Sequence, residues 1–170
     1  MEQEIIASNT DLDLHNSTQN RMADTRQYLT FCMGNEEYGV NILKVMEIKA
    51  WSHAIPLPRT PKYVKGIMNL RGVIVPIIDL RQRFNLTPSK NIESEVVIVI
   101  QVACEDHTRS MGIIVDAVSD VHNIMETDLL EAPKTTSAID NEYIDALVNV
   151  NNKMIVLLNT DAMLHIDAIA

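Results

Sequence analysis

The sequence predicts a mainly β fold, built as two small closed β units in tandem. Three observations carry this. Branched aliphatics dominate the apolar runs: hydrophobic residues make up 46% of the 170, aromatics only 4%, and Val and Ile favour a pleated, half-buried surface. Short apolar runs alternate with tight-turn compositions and little helical pattern. Finally, the chain repeats itself. "EEYGVNILKVMEI" (36–48) aligns without a gap on "RSMGIIVDAVSDV" (109–121), so Gly39 meets Gly112, Val45 meets Val118 and Glu47 meets Asp120. "YVKGIMNLRGVIVPIID" (63–79) aligns on "YIDALVNVNNKMIVLLN" (143–159), Tyr63 on Tyr143 and Asn69 on Asn149. Two such units side by side leave a groove, a natural binding site.

The elements follow in chain order. Residues 1–25 carry neither a basic n-region nor an apolar h-region, so they read as a solvated, disordered acidic and polar tail, not a signal peptide. "RQYLTFCM" is a strand, "GNEE" a hairpin turn, and "YGV" the returning strand. "NILKVMEIKAW" reads as strand mixed with loop. Pro61 opens a short helix ahead of the "NLRG" turn at Asn69–Gly72, and 73–80 is a strand that Pro76 demotes to an edge or a bulge. "RQRFNLTPSKN" is a polar boundary between a first unit at about 26–85 and a second at about 94–160, with strand exchange between them left open. "SEVVIVIQVAC" is a near-continuous apolar strand, and "EDHTRS" a turn into "MGIIVDAVSDVHNI". "ETDLLEAPKTTSAIDNE" is loop. "YIDALVNV" and "KMIVLLN" form a hairpin whose Asn151–Asn152 fits a type I′ turn. Thr160 caps a short C-terminal helix and tail over 160–170.

Composition also excludes functions. No apolar stretch nears the roughly 20 residues needed to cross a bilayer. Cys32 and Cys104 lie inside apolar runs, which fits reduced thiols better than a disulfide framework. The five glycines form no phosphate-cradling loop. The histidines, at 15, 53, 107, 122 and 165, have no zinc spacing, and no cofactor or metal is expected. Asp79 could serve as a base, but its repeat counterpart is Asn159, which points to capping at the strand end. No catalytic constellation is marked, so no enzyme is expected. The net charge of −9 argues against nucleic acid. Yet Arg59, Lys62, Lys65, Arg71, Arg81 and Arg83 cluster with a single acid, Asp79. That cluster is a solvated face, a contact for an acidic partner, or, as the alternative reading, the binding face of a small-barrel nucleic-acid-binding protein.

"EEYGVNILKVMEI", "KGIMNLRGVIVPIIDLR", "SEVVIVI" and "GIIVDAVSDV" together resemble the CheW family, over about residues 26–165. The resemblance implies two tandem SH3-like five-stranded β-barrels with short helices, and a cytoplasmic, non-enzymatic adaptor recruited to membrane-associated chemoreceptor arrays. It implies two partners, the cytoplasmic tip of chemoreceptors and the regulatory domain of the histidine kinase CheA. With no receiver domain after 165, a stand-alone adaptor is expected. By resemblance Ile42, Val45, Glu47, Arg71 and Val121 face the receptor, while Lys65 and Gly66 face the kinase. By pattern alone Ile42, Val45 and Val121 fit barrel core equally well, and Gly66 and Gly72 fit backbone requirements. The sequence departs from the family in the loop after "VSDV", where Leu130 and Thr135 stand in place of an Arg and an aromatic. Arg71 itself is not demanded by its turn, because the second copy makes that turn with Asn151.

Overall fold

The structure is a computed structural model describing residues 24–88, 92–134 and 139–169. The expected tail, apart from its last two residues, and Thr135 lie outside the described residues. Among the described residues, ten strands form two five-stranded sheets. In chain order they are β1 (Thr25–Met33), β2 (Glu36–Asn41), β3 (Val45–Ala50), β4 (Val64–Leu70), β5 (Val73–Asp79), β6 (Val96–Ala103), β7 (Thr108–Val115), β8 (Ala117–Met125), β9 (Ile144–Val150) and β10 (Lys153–Leu158). Two single-turn helices follow the long hairpins: α1 (Leu80–Arg83) and α2 (Thr160–Met163).

The sheets do not coincide with the sequence units at about 26–85 and 94–160. One sheet runs β3-β6-β7-β5-β4 and uses an unbroken stretch of chain. The other runs β8-β1-β2-β10-β9 and joins the N-terminal hairpin to the C-terminal strands. Replacing β1–β5 by β6–β10, and the reverse, converts one order into the other. Each repeat thus gives its first two strands to one sheet and its last three to the other. The link is a parallel pair in each case, β2 with β10 and β5 with β7.

Three apolar clusters hold this arrangement. Val75, Ile77, Val97, Val99 and Ile114 fill the continuous sheet, and Tyr28, Ile124, Ala146, Val148, Ile155 and Leu157 fill the split one. The largest cluster lies between the sheets, with Leu29, Phe31, Tyr38 and Val40 on one side and Ile78, Ile98, Ile100, Met111 and Ile113 on the other. Strand β6 therefore buries both faces, Val97 and Val99 inward, Ile98 and Ile100 toward the seam. That explains why its sequence is continuously apolar rather than alternating.

Three local expectations are corrected. The lead-in after Pro61 is not helical: β4 begins at Val64 and is held from outside by Ile55, whose amide and carbonyl exchange hydrogen bonds with Ile67 at 2.9 Å. β5 is not an edge, since it lies between β7 and β4, and the one register irregularity of its pairing with β4 falls on β4, between Val64 and Gly66, not at Pro76. Pro76 is tolerated because it opposes Ile67, whose own backbone groups are spent on Ile55, while pairing with β7 starts only at Ile77. Its missing N–H therefore costs no ladder bond. The "MGIIVDAVSDVHNI" run, which the sequence leaves unassigned, supplies parts of β7 and β8, which part at Asp116 where the chain crosses between sheets. The helix cap is Asn159, not Thr160: the Ala162 amide donates to Asn159 Oδ1 at 3.1 Å, as the Gln82 amide donates to Asp79 Oδ1 at 3.1 Å. Asp79 and Asn159 are thus equivalent caps.

Candidate interaction site

The two long hairpins turn in the same way. Arg71 and Gly72 have φ of 55° and 87°, and Asn151 and Asn152 have φ of 51° and 63°. A two-residue type I′ turn needs positive φ at both central positions. Glycine reaches that region freely and asparagine readily, whereas for other L-residues it costs roughly 1–2 kcal/mol. Arg71 is therefore the one central residue of the four that the turn chemistry disfavours. Its side chain is 84% exposed and reaches Glu47 on β3, Nη2 to Oε1 at 3.4 Å. Asp120, the repeat counterpart of Glu47, instead accepts from the Val121 amide at 2.7 Å.

Exposed aliphatic side chains lie along the same elements as this pair. Met46 and Ile48 flank Glu47 on β3, Val73 and Ile74 follow the turn, and Leu43, 88% exposed, lies in the crossing that leads into β3. Sequence reading passed over these five. The available signal was β3 itself, apolar at 45, 46 and 48 and hence on both faces of a strand that borders its sheet. Ile42 and Val45 are half-buried and pack against the central cluster. Val121 stands on the split sheet, opposite Leu29 on β1, with 42% exposure. It is a surface position, and the Glu47–Arg71 pair does not extend to it. Exposed apolar side chains beside a charge pair are the ingredients of non-covalent docking.

The two expected kinase-facing residues differ in kind. Lys65 is half-buried and pairs with Asp79 at 3.5 Å. Gly66 is buried at φ +133°, and a Cβ placed there would lie 2.0 Å from the Ile55 carbonyl oxygen. Gly66 thus meets a backbone requirement, because the chain's own 55–56 segment occupies the space a side chain would need.

Charge divides between the sheets. Residues 45–115, which supply the continuous sheet, carry nine basic and six acidic side chains. The split sheet's segments, 25–41 and 117–158, carry three basic and nine acidic. An acidic partner is therefore favoured on the side that bears Arg71. Four of the six cations in the basic 59–83 cluster are engaged within the chain. Arg71 pairs with Glu47, Lys65 with Asp79, and Arg81 with Asp116, while Arg83 stacks on Tyr63 and Tyr143.

Both chain crossings are fastened by ions of opposite arrangement. At one, Arg81 of α1 grips Asp116 through Nε and Nη2, and Asp116 also accepts from the Gly34 amide at 2.7 Å. At the other, Asp161 of α2 holds Lys44 at 2.5 Å and accepts from the Ala103 amide at 3.0 Å. Partial burial pushes the Asp161 carboxyl up, but Lys44 and the Ala103 amide outweigh that and hold it below its ordinary value. Nearby Asp145 goes the other way: burial raises it above the ordinary carboxylate value, and Lys44 opposes this only in part.

A CheW-like domain model matches residues 27–168. The chemotaxis protein CheW of Klebsiella aerogenes is 38% identical over 145 residues, covering 85% of each chain. The chemotaxis protein CheW of Bacillus subtilis is 32% identical over 136 residues, covering 80% of this chain and 85% of that one. The crystal structure of the scaffolding protein TtCheW from Thermoanaerobacter tengcongensis superposes with a TM-score of 0.75 at 28% identity, covering 84% of this chain and 89% of that one.

Proposed function

The chain belongs to the CheW-like family, and from that premise we propose how its surface couples its partners. It is a chemotaxis coupling adaptor, and its two five-stranded sheets are the SH3-like barrels of that family. In our reading the cytoplasmic tip of a chemoreceptor, a helical hairpin, docks against Glu47 and Arg71. Ile42 and Val45 line the seam beside it, and Val121 meets it from the other barrel. The regulatory domain of the histidine kinase CheA takes the strands next to Lys65, on the same, more basic barrel. The adaptor holds these partners together without catalysing a reaction, in the cytoplasm at receptor arrays.

One observation carries the reading. An arginine sits where its turn disfavours it, exposed and paired to Glu47 on a strand that also carries exposed aliphatic side chains. Strained positions of this kind persist where function retains them. Co-purification with a chemoreceptor signalling fragment and with the kinase regulatory domain is the test. Capture of both supports the reading, with the receptor fragment lost in Arg71→Glu. Capture of neither sinks it.

A further inference from the structure

We propose that Arg83 is a positioning residue for the inter-barrel groove: its guanidinium, held between Tyr63 and Tyr143, fixes the angle at which the two barrels meet. The functional consequence drawn from this rests on the docking reading above.

Five of the chain's seven aromatic residues gather at this seam. Phe31 stacks on Tyr38 at 6.0 Å between centroids, Tyr38 meets Phe84 at 6.0 Å, and Phe84 stacks on Tyr143 at 6.3 Å. Arg83 closes the series. Its guanidinium carbon lies 4.6 Å from the Tyr63 ring centre and 5.2 Å from that of Tyr143, and Nη2 donates to Tyr143 Oη at 2.9 Å. Tyr63 leads into β4 of the continuous barrel, and Tyr143 leads into β9 of the split one. They are repeat equivalents, each accepting an amide hydrogen bond on its carbonyl, from Asp79 at 2.7 Å and from Asn159 at 2.9 Å. Arg83 thus spans matching points on the two barrels.

Its Nε is buried without a hydrogen-bond acceptor. Leaving a buried donor unpaired is unfavourable, so the stack between rings is the feature that this placement secures. Apart from the ion pairs at the two crossings, the rest of the seam is largely aliphatic. Aliphatic packing supplies energy but little direction, and such cores lose uniqueness before they lose stability. A planar cation between two rings has a geometry to satisfy. The other repeat shows that the fold does not require an arginine here, because the counterpart of Arg83 is Met163, wholly buried.

That counterpart supplies the test, Arg83→Met, with Arg83→Lys keeping charge without the planar fork. Paired spin labels would be placed at Gln101→Cys on one barrel and Asn149→Cys on the other, in a Cys32→Ala, Cys104→Ala background. The expected result is a broadened inter-barrel distance distribution in both variants, with cooperative unfolding retained. Receptor-fragment affinity should fall about two- to tenfold, as expected when a cation–π contact biases the docking-competent orientation. A distribution as narrow as that of the parent protein overturns the proposal, whatever the affinity does. A broadened distribution with unchanged affinity upholds the positioning role and counts against docking in this groove.

Discussion

Arg71→Asn should separate stability from binding with opposite signs. The substitution copies Asn151, which occupies the same turn position in the second hairpin with φ of 51° against 55°. Two effects on stability oppose each other. Losing the Glu47 pair costs at most about 1 kcal/mol, because Arg71 is 84% exposed and exposed pairs are weak. Relieving arginine of the left-handed conformation returns roughly 1 kcal/mol. The net change lies within about 1 kcal/mol of zero, a shift of a few degrees at most in a chain of this length. Receptor affinity should nonetheless fall about ten- to hundredfold, the range for a central charged contact at about 1.4 kcal/mol per decade. Thermal unfolding and calorimetric titration with a receptor signalling fragment measure the two quantities on one preparation. A loss of more than about 2 kcal/mol in stability would assign Arg71 to the fold. Unimpaired binding would remove it from the docking surface.

Further outcomes follow from the same geometry. Asp116→Ala leaves Arg81, only 12% exposed, without its partner and releases the Gly34 amide. It should cost about 2–3 kcal/mol by chemical denaturation, below the usual toll of breaking a fully buried pair because Asp116 keeps some solvent contact, and the Arg81→Ala, Asp116→Ala double variant should recover part of it. Gly66→Ala should yield little folded protein, since its Cβ would overlap the Ile55 carbonyl. Soluble yield and circular dichroism check this, and a normally folded variant would refute the backbone role. Asp145→Asn should stabilise the protein at neutral pH and have no effect well below pH 4. Burial raises the folded-state pKa of Asp145, so the carboxyl's contribution is fully present below its unfolded value near 4 and is lost as pH rises through the folded value. Melting curves across pH 3–7 would show the two proteins diverging upward from about pH 4.

Much of the fold was legible because its signals are local. The Asn151–Asn152 turn, the continuously apolar β6 and the capping by Asp79 each follow from a few neighbouring residues. The repeat was legible too, but it tells which segments are alike and not which strands pair. The exchange of β1–β2 and β6–β7 between barrels depends on the parallel pairs β2–β10 and β5–β7, and no local spacing encodes these. β4 was misread as helix because its cover, the bridge from Ile55, is distant in sequence, and Gly66 interrupts its alternation. Glu47 and Arg71 were expected as site residues from family motifs, and the structure adds their pairing. Met46, Ile48, Val73 and Ile74 went unnoticed because an apolar residue in a strand looks like core until the strand's position in its sheet is known, and Leu43 because it lies in the short turn just before such a strand.

Kinase autophosphorylation, reconstituted from the kinase, a receptor signalling fragment and this protein, tests the coupling role most directly. The account predicts a large rise in phosphorylation rate that requires all three components and is blunted by Arg71→Asn. A rate that this protein leaves unchanged in the presence of receptor, or raises equally without receptor, would contradict it.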